Sequence, residues 1–93
     1  MLKTLPFDPA DYLTTVESQE MLLEDAFASG DATYITNALG IVARARGMSQ
    51  VAREAGVTRE ALYKALTATG DPKLSTLLGV AKALGFRLGL TQT

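Results

Sequence analysis

The chain has 93 residues, 47% of them apolar and 20% charged, which suffices for one domain around one core. It contains neither cysteine nor histidine, which excludes disulfides, thiolate zinc sites, imidazole acid–base chemistry and a Ser-His-Asp triad. The net charge of -1 divides unevenly: residues 1–43 carry Lys3 against Asp8, Asp11, Glu17, Glu20, Glu24, Asp25 and Asp31, whereas residues 44–93 carry eight basic groups against three acidic ones.

In chain order, Asp8-Pro9 reads as an N-cap followed by a proline in the first helical position, opening a brief helix through Leu13. Ser18 stands as the cap of a second helix. Its apolar positions Met21, Leu22, Ala26 and Phe27 fall at helical spacing, and Ser29-Gly30 ends it. Asp31 caps a third helix that brings Ile35, Leu39, Val42 and Ala43 near one face and stops at Arg46-Gly47. Gly40 inside it costs about 1 kcal/mol relative to alanine and suits a close helix crossing.

Ser49 reads as the cap of a fourth helix, Gln50 to Ala55. Gly56 ends it, and Thr58 caps a fifth helix running to about Leu66. Residues 67–72 form a polar loop. A sixth helix, near Leu74 to Leu84, offers Leu74, Leu77, Leu78, Ala81 and Leu84 as its apolar face, with Gly85 as its stop. The run Phe86-Arg87-Leu88-Gly89-Leu90 alternates with period two. It is either a short C-terminal β-strand, which needs a partner such as a symmetry mate, or a coil whose Phe86, Leu88 and Leu90 plug the core. The expected architecture is all-α: a single domain over 1–93, with acidic helices over 1–30, a helix-turn-helix core over 31–84 and a strand or tail over 85–93.

The segment from Met48 to Leu66 carries the strongest functional signal. Two short helices crossing steeply at a tight turn need a small residue under the crossing, here Ala52, and a left-handed turn residue, here Gly56. Val57 fills the space between the helices, while Val51, Ala55, Leu62 and Ala65 or Leu66 face the core. That assignment turns Arg59, Glu60, Tyr63 and Lys64 outward. The start of such a second helix enters a DNA major groove. Arg59 can donate twice to guanine or pair with phosphate. Glu60 can accept from cytosine or simply favour the helix start, and Tyr63 can meet a thymine methyl or a phosphate. Lys64, Arg53 and Lys73 suit phosphates, as do Ser49 and Gln50 at the start of the first helix of the pair, with Thr58 as cap. The basic second half agrees with a polyanion-facing surface. A structural corner without DNA is the bland alternative, as is chance scatter of charge.

An enzyme working on carboxylates has Asp8 with Asp11, or Glu24 with Asp25, as its close pairs. Asp8 is better used as a cap, and Glu24 and Asp25 diverge around their helix, so no catalytic residue is assigned. No metal or cofactor site is expected. There is no run of about 18 apolar residues and no apolar signal region at the N-terminus, so a cytoplasmic protein without a membrane span is the expectation.

Several blocks together resemble one family. They are Phe7-Asp8-Pro9-Ala10-Asp11-Tyr12-Leu13, the stretch from Ala38 to Gln50, Ala52-Arg53-Glu54-Ala55-Gly56-Val57, Leu62-Tyr63-Lys64-Ala65-Leu66, and Ala83-Leu84-Gly85-Phe86-Arg87-Leu88. The chain resembles the HigA-like antitoxins, or addiction-module antidotes, of the lambda-repressor-like (XRE) helix-turn-helix class. The resemblance implies a bacterial homodimer that binds double-stranded operator DNA, represses its own promoter and neutralises a small RelE/ParE-like toxin. It maps the DNA contacts onto Gln50, Thr58, Arg59, Glu60, Tyr63 and Lys64. Lys73 departs from the family, which often shows a capping serine there. The acidic N-terminal segment is the candidate toxin face, because the resemblance implies a basic toxin; alternatively it only completes the fold. Two alternatives stand beside the antitoxin: a phage-type transcriptional regulator without a toxin, and a protein-interaction module that has lost DNA binding.

Overall fold

The structure, a computed structural model, describes residues 8–67 and 69–92. Lys3, Phe7 and Ala68, which entered the charge count, the family resemblance and the polar loop, lie outside the described residues. The regular structure among the described residues is helical throughout. A 3₁₀ helix, Pro9–Tyr12, precedes α1 (Val16–Ser29), α2 (Ala32–Arg46), α3 (Met48–Ala55), α4 (Arg59–Ala65) and α5 (Leu74–Ala83).

Asp8 caps the first element as expected, its Oδ1 accepting from Ala10 N at 3.0 Å. The turn is wound with bonds three residues apart, Asp11 N to Asp8 O and Leu13 N to Ala10 O, which keeps it short. The next cap differs from expectation. Thr15, not Ser18, opens α1: its Oγ1 accepts from Ser18 N at 3.1 Å, and the Ser18 hydroxyl donates back to Thr15 O at 2.9 Å. Of two hydroxyl residues three apart, the earlier takes the cap.

The buried face of α1 also differs. It comprises Gln19, Leu23 and Ala26, with Leu22 half-buried, whereas Met21 is 70% exposed and Phe27 38%. The physical reason is Gln19, a polar residue in the middle of an apolar face. Its Nε2 donates to Leu13 O at 2.9 Å and its Oε1 accepts from Arg46 Nε at 2.5 Å. Both ends of the amide are satisfied, so its hydrogen bonds offset the desolvation cost of burial. The amide ties the N-terminal segment to the end of α2.

α2 is the central helix. Asp31 caps it through Thr33 N and Tyr34 N, and Ala38 to Ala43 are all buried. α1, the 3₁₀ helix and α3 all pack on α2, while α3 also packs on α4 and α5. Two glycines set the close crossings. A side chain at Gly40 would overlap the Leu66 carbonyl at the end of α4, and one at Gly79 of α5 would stand 3.0 Å from the Ala55 carbonyl of α3. α5 has apolar residues on more than one side, at Leu74, Leu77, Leu78, Val80, Ala81 and Ala83, so periodicity does not settle its orientation. The Gly79–Ala55 approach does, turning Val80, Ala81 and Leu84 inward with Leu77 partly buried. Leu74 and Leu78, expected inside, are 67% and 48% exposed.

Residues 86–92 form a coil and no strand. Phe86 N donates to Ala81 O at 2.7 Å and its ring packs on the core, but Leu88 is only half-buried and Leu90 is fully exposed. Of the three side chains expected as plugs, Phe86 alone joins the core.

Candidate nucleic-acid interface

α3 starts two residues before its expected first position. Gly47, at φ +111°, occupies the cap position and offers no side chain, so Ser49 is the second residue of the helix and not its cap. Ser49 and Gln50 are exposed in a first turn whose amides no side chain caps. The turn into α4 has the expected chemistry. Gly56 takes φ +77°, Val57 N donates to Ala52 O at 3.0 Å, and Thr58 Oγ1 accepts from Ala61 N at 3.1 Å. A glycine there avoids the cost of the left-handed conformation for a side chain. Val51, Ala52, Leu62 and Leu66 are buried, and Ala55 and Val57 pack against them.

With that face inward, α4 turns Arg59, Glu60, Tyr63 and Lys64 outward, all exposed. The Arg59 guanidinium lies over the Tyr63 ring, 5.4 Å from its centroid. This is a cation–π contact between neighbours on successive turns, and it gives the two side chains a preset arrangement. Glu60, in the first turn, complements the positive end of the helix. Arg53 is exposed in the last turn of α3. Lys73 is exposed at the cap position of α5 and makes no cap bond of its own. The α4 residues therefore share one side, whereas Arg53 and Lys73 each stand on another element.

Two further cations have partners that sequence reasoning did not foresee. Arg44 Nε and Nη2 form a fork on Asp8, with distances of 3.0 Å and 2.9 Å. Arg46 is held by Gln19. Nothing local announces a pair separated by 36 residues, and Asp8 already had a local role as cap. Arg44, through this bond first and the Ala10 amide second, holds the Asp8 carboxyl below its ordinary range. The same bond raises the Arg44 guanidinium. Elsewhere the Tyr34 hydroxyl donates to Asp25 at 2.6 Å, which pushes the phenol up.

These bonds bear on the catalytic alternative. Asp8 is engaged by Arg44 and Asp25 by Tyr34, so neither close carboxylate pair keeps two uncommitted members. Among the described residues no group of acidic, histidine or cysteine side chains could hold a metal ion, and no helix is long and apolar enough to cross a membrane.

Comparison with known proteins gives a family match over almost the whole chain. A family model described as "Probable addiction module antidote protein" matches residues 3–92. A relative from Haemophilus influenzae, described as an uncharacterized protein, is 44% identical over 87 residues, which cover 94% of this chain and 90% of the relative. No solved structure matches.

Proposed function

The chain belongs to the family described as "Probable addiction module antidote protein", and from that premise we propose that it is the antitoxin of a type II toxin–antitoxin module. In this reading it binds double-stranded operator DNA as a homodimer, represses its own operon and neutralises a small RelE/ParE-like toxin. The α3–α4 pair acts as a lambda-repressor-like helix-turn-helix.

The outward side of α4 carries the DNA reading. Arg59 and Tyr63 form one stacked unit at the exposed face of a helix whose other face is fixed by Leu62. In this reading Arg59 meets guanine edges, Glu60 a cytosine amino group and Tyr63 a thymine methyl or phosphate, while Thr58 caps the helix that holds them. Lys64, Arg53, Lys73 and the exposed start of α3 at Ser49 and Gln50 take phosphates. Exposed Leu74 and Leu78 on α5, with Leu90, suit burial against a second copy. Glu17, Glu20 and Glu24 on α1 are exposed and take no part in the Asp8–Arg44 ion pair, which suits a basic toxin.

The test is retardation of a duplex from the region upstream of the gene, alongside co-purification with the product of the adjoining gene. Specific retardation and a stable complex with a small basic protein are expected. Failure of both contradicts the proposal. The pairing of Arg44 with Asp8 and of Arg46 with Gln19 favours a second reading, because it leaves fewer free cations for phosphate: an interaction module that kept the fold and lost DNA binding. In that case toxin capture survives Arg59→Ala with Lys64→Ala, and no duplex is retarded by the unaltered chain.

A further inference from the structure

We propose that Arg44, held by Asp8, is a positioning residue that sets the angle at which α4 presents its outward side; this rests on the reading of α4 as the DNA-facing helix. α4 is held on its inward side by α3 and at its carbonyl end by backbone that passes close to it. The helix has 7 residues, Arg59–Ala65, and only Leu62 within it and Leu66 at its end are buried. Two leucines four residues apart lie along one line of the helix surface, which packs against α3, so what meets the carbonyl end of α4 bears on the angle of the helix about that line.

At that carbonyl end α4 meets the loop at Gly70 and α2 at Gly40. Gly40 passes the Leu66 backbone so closely that a Cβ there would overlap the Leu66 carbonyl, and the same Cβ would lie 3.5 Å from Arg44 Nη1. The Arg44 guanidinium therefore borders the Gly40–Leu66 crossing, at the carbonyl end of α4, where a cation is favoured. Asp8 fixes its place. Nε and Nη2 are both engaged by the carboxylate, which leaves Nη1 as the nitrogen beside the crossing. The Arg44 charge is stabilised chiefly by the Asp8 bond. A forked guanidinium–carboxylate pair holds orientation as well as charge, which a lysine would not.

The competing account has the opposite sign. If Asp8 only masks a cation, then Asp8→Asn uncovers positive charge and tightens binding to every duplex alike. If the pair positions α4, the same change lowers discrimination between sequences even though it removes a negative charge.

The experiment uses the full chain carrying Asp8→Asn or Arg44→Lys, the latter keeping the charge and losing the fork. Backbone amide exchange and amide resonances of the free protein are read beside affinities for the upstream duplex and for a scrambled duplex of equal length. Both variants should speed exchange in α4 and shift the resonances of Arg59 to Leu66 while α3 stays protected. The ratio of upstream to scrambled affinity should fall about fivefold, within the range of couplings between contacting groups. Unchanged α4 exchange and resonances overturn the proposal, and so does equal tightening on both duplexes. If Asp8→Asn fails to fold, Arg44→Lys decides. If the unaltered chain binds neither duplex, the DNA reading fails, while the α4 amides still decide the positioning role.

Discussion

Arg59 and Tyr63 are stacked one turn apart on α4, with the guanidinium 5.4 Å from the ring centroid. The stack restrains a long side chain before any partner arrives, and a restrained arginine loses less freedom on binding than a loose one. Arg59→Ala should weaken the upstream duplex by about 1–3 kcal/mol and leave a scrambled duplex nearly unchanged. Equal losses on both would mean that Arg59 touches only phosphate. Anisotropy titration of the two duplexes measures the difference.

Tyr63→Leu separates the stack from the core. Tyr63 is 39% exposed, so the folded protein should lose no more than about 1 kcal/mol, the range of an exposed cation–π contact. Binding of the upstream duplex should fall further than that. Urea unfolding beside anisotropy compares the two losses.

Leu62 is the anchor of the same helix, fully buried at 0% exposure. Leu62→Ala should cost about 2–5 kcal/mol of stability. Denaturant unfolding of the variant checks this, and a cost under about 1 kcal/mol would mean that α4 is held elsewhere.

Gly40→Ala sets two effects against each other. Alanine gains about 1 kcal/mol in helix propensity, yet its methyl group would meet the Leu66 backbone carbonyl, which cannot rotate away. Overpacking of this kind typically costs about 1–3 kcal/mol, so the net change should be destabilising. A rise in Tm would show that the α2–α4 crossing relaxes freely.

Asp8 carries a definite pH dependence. Its carboxyl titrates below the ordinary value of 3.8 in the folded chain, first because of Arg44. A depressed folded value means that the contribution to stability is present above 3.8 and is lost as pH falls through the lower, folded value. Asp8→Asn should therefore be less stable than the parent at neutral pH, and the gap should narrow below 3.8. Unfolding at pH 7 and at successively lower pH tests the sign; a constant gap would show that Arg44 does not set the Asp8 titration.

Helix number and punctuation were legible in the sequence where a single residue type answers a single backbone need. Asp8 and Asp31 cap, Gly30, Gly56 and Gly85 take positive φ, and Thr58 opens α4. The α3–α4 turn was legible for the same reason. Faces were less so. On α1 the buried Gln19 displaced Met21 and Phe27, because two distant partners, Leu13 and Arg46, satisfy its amide. On α5 apolar residues fall on more than one side, so the inward face is set by Gly79 meeting α3 rather than by period. Ser49 is not the cap its residue type suggests, because α3 begins from Gly47, a glycine with no side chain to announce the start. The Asp8–Arg44 fork escaped because long-range pairing leaves no local pattern. It removes Arg44 from the set of cations that the charge division had assigned to the polyanion surface.

The central claim is that α4 reads DNA sequence, and salt-dependent binding of the upstream duplex tests it most directly. Between about 50 and about 200 mM salt, affinity should fall steeply and log-linearly as phosphate contacts release counterions, while preference over a scrambled duplex persists. Binding that ignores salt, or an upstream duplex held no more tightly than its scrambled counterpart, would contradict it.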